Sequence, residues 1–239
     1  MKLSQLVDDT RFFLSSKKRV FEGSSHELVT SPYHLEAMAG VLAGKVPLII
    51  AADRFSDIKA LIRFSREAKS KGNPINLMVR GGAESWLLAQ ELAANKIPVM
   101  ITPSLLFPQD FDSLKSRDDT AKILAQAGVE VIISTQSRSP RRLRQEAAIA
   151  ITYGLSEAAA MRAITETPAR VFGLGEKMGA VAPGQLAQLV LWSGNPFHMD
   201  AKVEKMWIRG SQVSLENRQT ELARRYLGPA RDVGTGVSH

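Results

Sequence analysis

Three apolar runs of this sequence end in side chains that can do chemistry. VPLIIAA (46–52) leads into Asp53 and Arg54, INLMVR (75–80) ends in Arg80 ahead of Gly81 and Gly82, and VEVIIST (129–135) leads into Gln136 and Arg138. A guanidinium presents a planar fork of donors that matches a carboxylate, so Arg80 is a candidate anion-binding group. The same cation is equally suited to a structural ion pair with a strand-end acid such as Asp53. A carboxylate at 53 can position a water, but neighbours in an extended chain point apart, so at most one of Asp53 and Arg54 faces a common pocket. The alternative for that pair is a solvated loop couple. Gln136 is a neutral amide and a weak metal ligand, and neither it nor Arg80 acts as a general base near neutral pH. Glu84 stands where it can favour the start of the next helix through its dipole or serve as a catalytic carboxylate. Gly81 and Gly82 suit a tight turn or a backbone approached by a ligand. SRSPRRLR holds Arg138, Arg141, Arg142 and Arg144, which fits either an anion site at a helix N-terminus or a solvated basic face.

Such residues matter only if the chain carries them to one place. The three runs and a fourth, IPVMIT (97–102), are apolar throughout, as in strands buried on both faces of a parallel sheet. Helical patterns separate them. SDIKALIRFSREAKSKG opens on Ser56 as N-cap, repeats Ile58, Leu61, Ile62 and Phe64, and closes at Gly72. AESWLLAQELAANK and RDDTAKILAQAG follow, the second stopping at Gly128. Right-handed crossovers make this βαβαβαβ pattern a parallel α/β layer. In such layers the strand C-termini carry the chemistry. Beyond the fourth strand, Ser139 and Pro140 read as cap and first residue of one helix, and Ser156 as the cap of a second, with a break at Pro168. LAQLVLW (186–192) reads as a strand and VEKMWIRGSQVS (203–214) as a hairpin turning at Gly210–Ser211. RQTELARRYL is helical or extended, and residues 229–239 are expected to be disordered. Trp86, Trp192 and Trp207 read as packing residues.

Composition narrows the classes. With 239 residues, 44% hydrophobic and 23% charged, the chain fits one large globular domain with a smaller appendage. No run nears the roughly 18 apolar residues of a membrane span. Asp8, Asp9 and Arg11 interrupt the start where a secretory signal needs an apolar core. Localisation stays open: cytoplasmic as written, periplasmic if a further N-terminal segment exists. The absence of cysteine removes disulfides, thiolate metal sites and a Cys nucleophile. A formal charge of +7 suits an anionic small molecule. The basic residues lack the interleaved aromatics or recognition helix of a nucleic-acid module, so neither nucleic acid nor membrane is an expected partner.

EAAIAITYGLSEAAAMRAITETPARVFGLGEKMGAVAPGQLAQLVLWSGNPF closely resembles the C-terminal part of the amidohydrolase superfamily, in particular the imidazolonepropionase-like enzymes. Upstream, VPLIIAADRFSDI, MVRGGAESWLLAQELAANKIPV and LAQAGVEVIIST resemble the family's fifth, sixth and eighth barrel strands with their helices. The resemblance spans roughly residues 35 to 227. It implies a fold: the last four strands of a (β/α)8 TIM-type barrel over residues 1–175, then C-terminal strands of the accompanying β-sandwich and a tail over 176–228. It also implies a metal-dependent hydrolase of non-peptide C–N bonds, with zinc the expected cofactor. In that family a divalent metal generates hydroxide at the barrel mouth. Its ligands are a first-strand His pair and one His each from the fifth and sixth strands, with an Asp from the eighth. On this chain the last three positions fall at Ala51, Arg80 and Gln136. The resemblance therefore implies vacated metal positions, no metal ligand here, and ligand-binding candidates at Arg80, Asp53, Arg54, Gln136 and Arg138. His26, His34, His198 and His239 lie outside these strand ends. Gln188 stands where the family has a structural Asp.

Two functions compete. One is a degenerate amidohydrolase, a pseudoenzyme acting as a non-catalytic subunit or small-molecule binder, with an active relative as a candidate partner. The other is a fragment of a working hydrolase whose remaining half supplies the ligands. Four strands leave two sheet edges and an apolar face open. The expected partner is therefore a missing N-terminal half or a second copy that closes the barrel.

Overall fold

The structure, a computed structural model, describes residues 2–22, 26–72, 75–136 and 140–227. It divides into two units, Met1–Gln185 and Leu186–His239.

In the first unit β1 (Leu48–Ala52), β2 (Leu77–Gly81), β3 (Val99–Ile101) and β4 (Val131–Ile133) form one parallel sheet in chain order. The strands are shorter than their apolar runs. Proline cannot donate to a ladder, and β1 and β3 begin directly after Pro47 and Pro98. Val129 gives its N–H to Leu124 O at 2.9 Å, so it closes the preceding helix before β4 begins. The crossovers are α4 (Phe55–Ser70), a 3-10 turn (Ser85–Leu88) with α5 (Ala89–Ala94), and α6 (Thr120–Gln126). α4 forms because Ile58, Leu61, Phe64 and Ala68 recur every three or four residues and, with Ile62, bury one stripe, with Asp57 favouring its first turn. The helix starts at Phe55 rather than after Ser56. The side chain that serves its first N–H is Glu84, from the next unit along. Leu77, Val79, Val99, Ile101, Val131 and Ile133 are all buried.

Three helices precede β1: α1 (Lys2–Ser15), α2 (Lys17–Phe21) and α3 (Pro32–Leu42). α1 lies along α3. Val7 and Val41 join Phe64, Ala68 and Ile75 in one core cluster, while Phe13, Val20 and Leu35 form another. After β4 come α7 (Arg142–Thr152), α8 (Glu157–Ile164) and α9 (Glu166–Val171). Ser156 caps α8 as the sequence predicts, its Oγ accepting from Ala159 N at 3.3 Å. The break expected at Pro168 falls earlier, at Thr165 (φ −130°, ψ −80°). A proline lacks the N–H that a later helical turn needs, so Pro168 sits inside the first turn of α9, where none is required. The cap expected at Ser139 lies outside the described residues, as do Arg138 and residues 229–239.

The second unit is an antiparallel sheet of β5 (Leu189–Trp192), β6 (Val203–Ile208) and β7 (Ser211–Val213), followed by α10 (Arg218–Leu227). The hairpin turns at Arg209–Gly210, one residue earlier than the sequence predicts. Both have positive φ (+52° and +82°), and Ser211 already pairs with Ile208. Two successive positive φ values are what a two-residue turn needs to match the strand twist, and Gly210 removes half of the steric cost. Among the described residues no helix is long and apolar enough to cross a membrane.

Candidate functional site

A cavity of about 550 Å³ opens at the C-terminal ends of the four parallel strands. β1 contributes Ala51 and, just past its end, Asp53; β2 contributes Arg80 and Gly81; β3 contributes Met100 and Thr102; β4 leads to Ser134, Thr135 and Gln136. Ala51 is the register partner of Arg80, and Arg80 of Met100, so these three share one row and one face. Of the residues singled out at strand ends, Ala51, Asp53, Arg80 and Gln136 therefore meet in one place. Arg80 and Gln136 are exposed there and Asp53 is half-buried. Among the described residues Arg80 forms no ion pair, so the alternative of a structural pair with Asp53 is not formed. Arg54 does not line the cavity. Its guanidinium pairs with Asp112. His26 and His34 are engaged in the N-terminal helical segment, with Asp9 (3.2 Å) and Thr30 (2.8 Å). His198 belongs to the second unit, and His239 lies outside the described residues.

Asp53 is fixed by the turn after β2. Its Oδ1 accepts from Ala83 N at 3.0 Å and its own carbonyl accepts from Glu84 N at 3.0 Å. That turn runs through Gly81 and Gly82 with φ of +95° and +67°. A Cβ on Gly81 would stand 2.5 Å from Asp53 Oδ1. The paired glycines thus serve a left-handed turn and the close approach of a carboxylate together.

Two buried carboxylates hold the rest of the rim: Glu84, which the sequence singles out, and Glu146, which the strand-end pattern does not reveal. Glu84 is 8% exposed; its Oε2 accepts from Phe55 N (2.8 Å) and its Oε1 from Lys115 N (3.2 Å). It therefore serves the start of α4 and the loop after β3, not the helix that follows it. Glu146, on α7 and 6% exposed, accepts from Ser104 N (2.9 Å) and Ser104 Oγ (2.8 Å). A buried carboxylate is tolerable when such donors satisfy it. Between these anchors the loop 103–119 lays Leu105, Leu106, Gln109, Asp110 and Ser113 along the cavity. Trp86 Nε1 donates to Lys115 O at 2.8 Å, and Arg117 lies over the Trp86 ring at 4.8 Å. Arg117 also donates through Nε and Nη2 to both oxygens of Asp119, at 2.7 and 2.8 Å. Those hydrogen bonds hold the Asp119 carboxyl below the usual carboxylate range, against a smaller opposing effect of burial.

A divalent metal at these strand ends would need converging imidazoles and carboxylates. The donor set here is a methyl, a guanidinium and an amide at Ala51, Arg80 and Gln136. Asp53 and Asp110 are the only carboxylates among the cavity's described lining residues. Among the described residues no group of three or more His, Cys, Asp or Glu converges. These residues do not fit the metal.

A family model for the amidohydrolase family matches residues 24–214. The amidohydrolase tasK of Hapsidospora irregularis is 22% identical over 212 residues, which cover 88% of this chain and 22% of that protein. The crystal structure of an amidohydrolase from Thermotoga maritima MSB8 superposes with a TM-score of 0.73 at 28% identity, covering 89% of this chain and 54% of that one. A prolidase crystallised with N-methylphosphonate-L-proline shares the fold at a TM-score of 0.55 and 19% identity, over 74% of this chain and 47% of that one. The chain thus spans about half the length of these solved relatives. With its parallel four-stranded sheet, its strand-end cavity and a family match over most of its length, this chain belongs to the amidohydrolase family.

Proposed function

We propose that this chain is an amidohydrolase-family member that has exchanged metal chemistry at its strand ends for anion binding. It acts as a non-catalytic subunit or small-molecule binder. The observation that carries this reading is Arg80: a permanent cation exposed in the cavity, without an ion-pair partner among the described residues. A small carboxylate laid across its planar fork receives two parallel donors, and the Gln136 amide supplies another from the fourth strand. Ala51, beside Arg80, leaves the fork room. In this reading the four parallel strands are the last four of a (β/α) barrel, and β5–β7 belong to the accompanying sandwich. The remaining half, or a second copy, closes the barrel, and an active relative is a natural companion.

A second reading is favoured by the 54% coverage of the Thermotoga protein. The chain is then one half of a hydrolase of non-peptide C–N bonds whose remaining half brings the metal ligands. One experiment tests the first reading. The purified chain is dialysed against zinc and analysed for metal, and butyrate binding is measured calorimetrically for it and for Arg80→Met. The anion reading expects less than about a tenth of an equivalent of zinc and butyrate binding that disappears with Arg80→Met. Near-stoichiometric zinc, or butyrate binding indifferent to Arg80, overturns it.

A further inference from the structure

The described lining of the cavity holds one positive side chain, Arg80, and two negative ones, Asp53 and Asp110. Their balance is negative, so a simple carboxylate that reaches Arg80 also meets two like charges at the rim. A purely cationic ligand would satisfy the acids and leave the guanidinium without a counterion. Against the described lining, neither single-sign ligand is a match and a ligand bearing both signs is.

The two acids keep acceptor capacity for it. Asp53 uses Oδ1 for Ala83 N, and Asp110 uses Oδ1 for Asp112 N and Ser113 Oγ, both at 2.9 Å. Among the described residues their Oδ2 atoms have no hydrogen-bond partner. A carboxylate has about four lone-pair sites, and an ammonium offers three donors to fill them. Both acids are also held in place: Asp53 by the Gly81–Gly82 turn, and Asp110 by the short turn it forms with Ser113. Fixed carboxylates lining the same cavity as a strand-borne guanidinium supply both signs of charge and cost little reorganisation on binding. A volume of about 550 Å³ lies within the range of small-molecule sites.

We infer that the cavity's ligand is a zwitterion of amino-acid type, its carboxylate on Arg80 and its ammonium between Asp53 and Asp110. This rests on the reading of Arg80 as the anion anchor and adds the second pole. The test uses four compounds of one carbon skeleton: L-2-aminobutyrate, 4-aminobutyrate, butyrate and n-butylamine, each titrated calorimetrically into the full chain. At least one of the two amino acids is expected to bind tenfold or more tighter than butyrate. Asp110→Asn and Asp53→Asn each keep the accepting oxygen that the fold uses, so both variants fold. Either is expected to shrink the amino acid's advantage severalfold and to strengthen butyrate binding, because one like charge at the rim is gone.

Butyrate binding as tightly as both amino acids would overturn the zwitterion and leave the anion anchor standing. Butylamine binding as tightly as either amino acid would overturn both. If none of the four compounds binds, the anion anchor fails and the zwitterion with it. An advantage that survives Asp53→Asn and Asp110→Asn combined would overturn the assignment of the ammonium pole.

Discussion

Arg80 stands directly opposite Ala51 in the β1–β2 register. Lateral neighbours in a sheet lie about 4.8 Å apart, so whatever side chain occupies 51 decides how free the guanidinium is. A methyl leaves it open.

Ala51→Glu places a carboxylate within reach of that fork. The new pair occupies the donors a ligand needs, and butyrate affinity is expected to fall at least tenfold. Because Ala51 is exposed, the thermal midpoint is expected to stay within a few degrees, as is usual for surface changes. Calorimetry and a thermal melt on the same sample check both statements. Undiminished butyrate binding would show that the anion sits elsewhere.

Glu84 answers to stability. Glu84→Gln keeps the shape but turns one acceptor into a donor facing a backbone N–H of Phe55 or Lys115. A buried N–H left without its acceptor costs about 1–3 kcal/mol. Urea denaturation is expected to show a loss in that range with an unchanged slope. A change under about 0.5 kcal/mol, the level of ordinary surface substitutions, would mean the carboxylate does not hold the rim.

Asp119 gives the pH dependence. Hydrogen bonds from Arg117 depress its carboxyl in the folded state. The associated stability is present above the unfolded carboxyl's pKa of about 3.9 and is lost as pH falls through the lower folded value. Arg117→Met is expected to return the Asp119 titration midpoint, read by carboxyl carbon NMR, to the ordinary range. A midpoint indifferent to Arg117 would refute the assignment.

The parallel layer was legible because short, wholly apolar runs separated by helical patterns announce parallel strands, although β1 is not buried on both faces as expected and leaves Ile49 and Ala51 exposed. Once their ends were known, Ala51, Asp53, Arg80 and Gln136 had to meet. Other features rest on contacts distant in sequence. Glu84 meets Phe55 across 29 residues and Lys115 across 31, and Glu146 meets Ser104 across 42. No local pattern encodes those partners. The N-terminal helix is legible in the helical spacing of Leu3, Leu6, Val7, Thr10 and Phe13, whereas the packing of α1 along α3 rests on contacts distant in sequence. The hairpin turn needed Arg209 in a left-handed conformation, which residue type alone disfavours.

The span of Glu84's hydrogen bonds has a kinetic consequence. One carboxylate closes the first helical crossover and the loop after the third strand, segments that lie 60 residues apart in the chain. Neither closure is complete until the strand and turn between them are in place. Contacts of such sequence separation form late and slow folding, because the intervening chain must be ordered before they contribute. The three strand–helix units around Glu84 are therefore bound to fold and open as one cooperative block rather than unit by unit.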